Sequence, residues 1–449
     1  MIIIYNCNGN FYLLWGVKLK SLVDSRMKRM KVMGYLPSLE KFKRMGKKLA
    51  LNMQQAVLLS INLRNLKYFN EIYGTKKGDD LIQRMVDYFC FDNKNCIIGT
   101  KSYVDHILVL CEGYDYSKEE LIRYYDKYSR VFLEEINNIY PRAKVHIDIG
   151  MSLVDGNEDF IVAQDNARYA RRSISYSYDT SVAFYSEELR KKSLEKASII
   201  PNFQKAIDNN DIIVLLQPKY SVEENRIVGA EALSRFKDED GNIVSPALFV
   251  PILEKAHIIY QLDYEVIRQV VNIQKKWQDE GRELFPISVN LSRVDLLEDN
   301  FMERIDNLVS EAGIPRNSIE FEFTETVLVE NLSKVISKLN NLKNCGYRIA
   351  IDDFGSGYNS LYVLGQIPAN VIKFDRGFVL HSLQNDVGLT IMKNLVETFK
   401  EISFEVLCEG VETKEEEKNI VECGCDVIQG YLYDRPLGVT DFEEKYVAC

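Results

Sequence analysis

No stretch of this 449-residue chain approaches the roughly 18 consecutive apolar residues that a membrane-spanning helix needs. Histidine is scarce, with four in the whole chain, and Cys423-x-Cys425 lacks both the two-residue gap and the second pair of a structural zinc site. The nine cysteines are odd in number and irregularly spaced, and no secretion segment is recognisable. Reduced thiols and a cytoplasmic location are therefore expected. Positive charge is also in short supply: 56 Lys and Arg against 66 Asp and Glu leave a net charge of -10. That balance argues against a general binder of double-stranded nucleic acid, and it leaves open a nucleotide held through metal.

What is present is a soluble globular composition, 46% hydrophobic and 27% charged, in a chain too long for one ordinary core. Residues 1–33 form an unassigned extension. Its apolar run Phe11–Val17 is short, and the basic residues between Lys18 and Lys48 read as a solvated helix face. From Leu39 to Tyr185 the pattern alternates helices and strands: a helix at Leu39–Ala50, a strand at Ala56–Ile61, a helix from Asp79 or Asp80 to Phe89, strands at Asn95–Gly99 and His106–Cys111, a helix at Lys118–Ile139, a strand at Lys144–Met151 and a helix at Phe160–Arg171. A last strand is expected within Tyr178–Tyr185. This is a compact α/β domain over 34–188, followed by a charged helical connector at 189–198 that lacks Gly and Pro.

The second domain, 199–449, is organised around Tyr347–Tyr358, YRIAIDDFGSGY. A short apolar strand runs into Asp352 and Asp353, followed by a glycine-rich segment. Side chains that alternate along a strand let two adjacent acids enter one pocket from different directions, where a divalent cation would relieve their repulsion. Strands are expected at Ile212–Pro218, Ile227–Leu233, Leu284–Asn290, Ile319–Phe323, Tyr347–Ile351, Val371–Phe374, Phe404–Cys408 and Val427–Gln429, most of them separated by helical patterns. That series predicts a (β/α)8 barrel, with a doubly wound open sheet as the competitor. Polar residues stand at the ends of nearly every strand: Glu231, Asn290, Glu322, Glu325, Asp352, Asp353, Lys373, Asp375, Glu409, Glu412 and Gln429. A barrel would bring them to one mouth. Oxygen donors without histidine favour Mg2+ or Mn2+ over zinc.

This domain resembles the EAL family of cyclic di-GMP phosphodiesterases. The resemblance rests on Gln217-Pro218, Glu231-Ala232-Leu233-x-Arg235, Ser288-Val289-Asn290-Leu291-Ser292, Glu322-Phe323-Thr324-Glu325, Asp352-Asp353-Phe354-Gly355-x-Gly357-Tyr358, Lys373-Phe374-Asp375, Glu409-Gly410-Val411-Glu412 and Gln429-Gly430-Tyr431…Arg435-Pro436. It implies an EAL-type, TIM-like barrel that hydrolyses cyclic di-GMP to linear 5'-pGpG with two metal ions. Glu231, Asn290, Glu322 and Asp352 would hold one ion; Asp352, Asp353 and Glu409 would hold the other. Lys373 would stabilise the attacking water and the transition state. Glu412 and Gln429 would position water, and Glu325 would brace the Asp352–Tyr358 loop. Arg235 would meet a phosphate and Gln217 guanine or phosphate, with Leu233, Glu254 and Asp375 also near substrate, although Asp375 reads more readily as a structural residue. A homodimer is implied as well. The alternative in another class is a catalytically silent cyclic di-GMP receptor acting through a protein partner.

The first domain resembles a GGDEF, diguanylate cyclase-like, domain in the order and spacing of Gly34–Leu39, Asn62, Lys67, Asn70, Tyr73-Gly74, Gly78-Asp79 and Ser102–His106. Its chemistry departs from the family's. Asn62 replaces the metal-binding Asp, and Ser102-Tyr103-Val104-Asp105-His106 fills the place of the glycine-rich signature turn. The resemblance therefore implies a degenerate, regulatory copy without cyclase activity. Asn70 and Asp79, at positions the family uses for guanine, leave room for weak GTP binding.

Overall fold

The computed structural model describes residues 36–51, 55–113, 116–154, 160–174, 181–292, 296, 298, 300–324, 332–356 and 365–447. The chain divides into two compact units between Glu195 and Lys196. Among the described residues no helix is long and apolar enough to cross a membrane.

The first unit is built on a five-stranded sheet: β1 (Ala56–Arg64), β2 (Cys96–Lys101), β3 (His106–Glu112), β4 (His146–Val154) and β5 (Val182–Phe184), in the order β2-β3-β1-β4-β5. The central strand β1 is apolar on both faces because each is covered by its own core. Val57, Leu59 and Ile61 pack with Phe69, Phe89, Tyr125 and Phe132 on one side. Leu58 packs with Phe42, Leu108 and Phe160 on the other. Two helices, Leu66–Tyr73 and Thr75–Val86, stand where the sequence shows a segment Tyr68–Tyr73 closed by Gly74 and then a helix expected from Asp79 or Asp80, so the second helix begins about a turn earlier than expected. Gly74, at φ 85°, makes the break between them, a conformation that costs glycine little. Gly150 on β4 lies so close to the helix Phe160–Ser173 that a Cβ there would meet the Ala167 carbonyl at 2.0 Å.

The second unit is a barrel. Its strands are β6 (Ile213–Ser221), β7 (Arg226–Arg235), β8 (Ile287–Asn290), β9 (Ile319–Thr324), β10 (Arg348–Phe354), β11 (Val371–Phe374), β12 (Glu405–Cys408) and β13 (Val427–Ile428). Pairing of β13 with β6 closes the ring, and a short ninth strand, β14 (Leu437–Gly438), adds to the same edge of β6. The ring is not uniformly parallel, which corrects the regular (β/α)8 expectation. β6 runs antiparallel to both β7 and β13. The reason is local: only the turn between Ser221 and Arg226 joins β6 to β7, and a parallel pair needs a crossover of a dozen or more residues. From β7 to β13 the strands are parallel, with helices such as Ile259–Asp279, Phe301–Ala312 and Asp386–Glu401 packed outside.

Inside the barrel, Ala350, Val371, Leu407 and Val427 form a small apolar layer. Strand alternation then dictates what lies above it. Asp352, Lys373, Glu409 and Gln429 follow two residues on, pointing the same way toward the C-terminal mouth.

Candidate functional site

Lys373, fully buried on β11, is the hub. Its Nζ lies 2.7 Å from Glu322 Oε2, 2.7 Å from Glu409 Oε1, 3.0 Å from Asp352 Oδ1 and 3.4 Å from Glu231 Oε2. These acids come from β9, the end of β12, β10 and β7, so the strand order converges residues spread over nearly two hundred positions. Glu231 is held further. Its Oε1 accepts from Asn290 Nδ2 at 3.1 Å, and its Oε2 accepts from Gln429 Nε2 at 2.6 Å. Gln217, opposite Glu231 in the β6–β7 register, accepts from Gln429 Nε2 at 3.3 Å and donates to the Asp434 carbonyl at 3.2 Å.

The two adjacent aspartates enter the site through a backbone irregularity. The β10–β11 register shifts between Ile351 and Phe354, and Asp353 adopts φ 56°. Such a conformation is uncommon for a residue with a Cβ, and strain of this kind concentrates at functional sites. The outcome is a group of three: one oxygen each from Asp352, Asp353 and Glu409 lies within 4.8 Å of the others. Gly355 at φ 94° continues the turn, with the Phe378 ring packed where a Cβ would sit.

Charge balance in this pocket is uneven. Burial pushes the Glu231, Asp352 and Asp353 carboxyls up, although Lys373 opposes it. Burial raises Glu409 to about 8. Glu322 goes the other way: burial would raise it too, but the Lys219 and Lys373 ammoniums together bring it well below the usual carboxylate range. Burial alone would lower Lys373, yet the surrounding carboxylates hold it charged. Lys219 and Lys373 together cannot compensate Glu231, Glu322, Asp352, Asp353 and Glu409, so those acids retain protons or take up cations. Hard oxygen donors, close spacing and raised carboxyls fit a divalent metal ion.

Beside the acids is a cavity of about 500 Å³, lined by Leu233, Arg235, Val250, Glu254, Asn290 and Thr324 among others. Glu254 is an exposed residue of that lining, and partial desolvation against the cavity wall raises its carboxyl. Asp263, which the sequence reading passed over, also lines the cavity and accepts the Ser292 backbone N–H at 3.1 Å.

Some expected residues are not gathered into this group. Glu412 is paired with Arg376 on the surface, and its backbone N–H donates to Glu416 at 2.7 Å. Asp375 caps the helix Arg376–Ser382, accepting from the Gly377 and Phe378 N–H groups at 2.8 and 3.3 Å. Glu325, Gly357 and Tyr358 lie outside the described residues. Lys219 is the main residue that sequence reading missed. Its place two positions after Gln217 on the same strand was the available signal, since i and i+2 share a face.

In the first unit, Asn70 lines a separate cavity of about 500 Å³ with Leu66, Lys67, Glu71, Thr75, Val104 and Asp105. Asp79 is not among its lining residues.

Comparison with known proteins agrees with the barrel. The EAL domain model matches residues 201–436. Signaling protein YkoW of Bacillus subtilis is 25% identical over 86% of this chain and 48% of its own length. Cyclic di-GMP phosphodiesterase PdeR of Escherichia coli is 25% identical over 86% of this chain and 58% of its own. The chain thus spans about half the length of the curated relatives it matches. Among solved structures, the PaMucR phosphodiesterase in complex with c-di-GMP superposes with a TM-score of 0.52 at 26% identity, covering 55% of this chain and 99% of that one. With more than half of its residues in that match and the acidic mouth assembled as described, the chain belongs to the EAL-domain family.

Proposed function

We propose that this protein hydrolyses one phosphodiester bond of cyclic di-GMP, releasing linear 5'-pGpG, in a reaction dependent on Mg2+ or Mn2+. The observation that carries the reading is the convergence of Glu231, Glu322, Asp352 and Glu409 on Lys373, next to a cavity that holds Arg235. Two ions are proposed, one held by Glu231, Asn290, Glu322 and Asp352, the other by Asp352, Asp353 and Glu409. Divalent ions in such a site lower the pKa of water and neutralise charge on phosphoryl oxygens.

The protein's own groups supply the rest. Lys373 keeps its charge in a water-poor setting, where a fixed cation stabilises developing phosphoryl charge more than it would in bulk water. Gln429 and Asn290 fix the Glu231 carboxylate from its two sides, so that it meets the reacting centre in one orientation. Arg235, with its fork of donors, fits a substrate phosphate, and Leu233 with Val250 supplies apolar wall against a base. Glu254 would accept a base N–H. The first unit is proposed as a degenerate GGDEF-type regulatory domain, supported by its α/β sheet and by the replaced residues at Asn62 and Ser102–His106.

Incubation of purified full chain with cyclic di-GMP tests this directly. Product pGpG is expected with Mg2+ or Mn2+, and none is expected with chelator or in Glu231→Ala. Binding of cyclic di-GMP without product under any metal condition would overturn the enzymatic reading in favour of a receptor.

A further inference from the structure

Below the acidic mouth, the barrel interior carries a line of charges that alternate in sign. Arg348 donates through Nη2 to Glu405 at 2.8 Å and through Nε to Glu320 Oε2 at 2.9 Å. Lys219 Nζ lies 2.8 Å from Glu320 Oε1 and 2.8 Å from Glu322 Oε1. Lys373 takes the other Glu322 oxygen, Oε2, at 2.7 Å. Lys219 and Lys373 are both buried, and Glu322 has no exposed surface at all.

Glu320 and Glu322 are two apart on β9 and so point to one face, into the barrel. Two carboxylates so placed need a cation between them, and Lys219 is that cation. It reaches them from β6, the strand that runs against its neighbours. Because β6 is reversed, its side chains beyond Gln217 descend from the mouth, which places Lys219 beneath Glu322 and not beside it.

We propose that Lys219 is a positioning residue for hydrolysis: by gripping Oε1 of Glu322 from below, it fixes the carboxylate plane so that Oε2 is presented to Lys373 and to a divalent ion at the mouth. The inference rests on the phosphodiesterase reading. A carboxylate held at one oxygen can pivot about that contact, whereas one held at both cannot. Among the contacts Glu322 makes, Lys373 holds only the oxygen that the ion would share, so Lys219 supplies the grip that persists when the ion is bound. Glu320 offsets the charge of Lys219 and Arg348 pairs with Glu320, so Lys219 orients Glu322 in addition to stabilising its charge.

The test compares Lys219→Met/Glu320→Gln with Glu320→Gln alone, in the full chain. The double variant removes one charge of each sign and keeps the interior's net charge, so a shift in ion affinity does not report net charge. Mn2+ binding is measured by titration calorimetry without substrate, and hydrolysis of cyclic di-GMP is measured separately. Loss of such a supporting contact typically costs about 10–100-fold in metal affinity or activity, and that range is expected for the double variant, in Mn2+ Kd and in kcat. KM for cyclic di-GMP should change by less than about twofold, since Lys219 touches no part of the cavity where substrate is placed. Glu320→Gln alone should keep Mn2+ affinity within about threefold. Lys219→Arg, which retains donors for both carboxylates, should also keep it and serves as the readout if the double variant does not fold; a loss of Mn2+ binding by folded Lys219→Arg would count against the proposal. Parent-like Mn2+ affinity in a folded double variant, with a lowered Tm only, would make Lys219 merely structural and overturn the inference while leaving the phosphodiesterase reading intact. A parent protein that neither binds Mn2+ nor forms pGpG would overturn that reading, and this inference with it.

Discussion

Glu231 and Gln429, 198 positions apart in the chain, meet through a 2.6 Å hydrogen bond inside the barrel. The amide donates to the same carboxylate oxygen that Lys373 approaches, and it is itself steadied by Gln217. Gln429→Ala should therefore loosen Glu231 without removing a charge. Steady-state kinetics across a Mn2+ series should show kcat lowered about 10–100-fold and a higher Mn2+ concentration at half-maximal rate. Unchanged kinetics would mean that Gln429 only fills space.

The raised carboxyls make a signed prediction about pH. Burial lifts Glu409 from an unfolded value of 4.5 to about 8. Its folded state holds a proton more tightly than its unfolded state, so its contribution to stability is complete below pH 4.5 and is lost as pH rises toward 8. Glu231, Asp352 and Asp353 are raised as well and act in the same direction. Glu322, lowered by the two lysines, acts oppositely, but only as pH falls through the acid range below 4.5. In chelator, thermal unfolding should thus show lower stability at pH 8 than at pH 6. A divalent ion replaces those protons, so the gain in Tm on adding Mn2+ should be larger at pH 8 than at pH 6. Equal gains at the two pH values would show that the acids at the mouth do not bind the ion.

Lys373 makes ion pairs with acids from four different strands or strand ends. Replacing it with Met should cut hydrolysis by about 10²–10³-fold, the usual consequence of deleting a preorganised electrostatic donor. Without divalent ion, Glu231, Asp352 and Glu409 would also lose the ammonium they share, and breaking a buried pair in this way costs about 3–5 kcal/mol. Adding Mn2+ should recover most of that stability but little of the activity. A variant whose Tm and rate recover together would assign Lys373 to folding alone.

Much of this site was legible in the sequence because strand ends announce themselves. Short strand segments rich in β-branched and aromatic residues that end in Asn290, Glu322, Asp352, Lys373 or Glu409 mark both the strand and the residue that leaves it. The reversed strand was less legible. Its apolar content is that of any barrel strand, and only the short gap before β7 records the hairpin. Lys219 was hidden for the same reason, since its depth in the barrel depends on the direction of β6. The position of Glu412 was not legible either. Its spacing from Glu409 suits a site residue, but the backbone turns at Gly410, φ 68°, and carries Glu412 out to Arg376.

The first unit offers the sharpest negative expectation. Between β2 and β3, Tyr103 and Val104 stand exposed at the hairpin tip where a glycine-rich turn would have to admit a nucleotide. The acid left in that turn, Asp105, is engaged by His106 Nδ1 at 2.6 Å. Asn62, facing His106 across the β1–β3 register, brings a neutral amide whose Oδ1 is buried with no hydrogen-bond partner among the described residues. Neither residue offers the pair of free carboxylates that a Mg2+-bound triphosphate requires. Full-length Glu231→Ala, which should not degrade any product, is the suitable protein to incubate with GTP and Mg2+. No cyclic di-GMP should form over hours. GTP binding is a separate matter, because Asn70 and Lys67 still line a cavity, and equilibrium dialysis in the presence of Mg2+ measures it. Binding without turnover would make GTP an effector of the barrel, to be seen as a change in pGpG formation by the parent chain. Accumulation of cyclic di-GMP would overturn the regulatory reading and make the protein bifunctional.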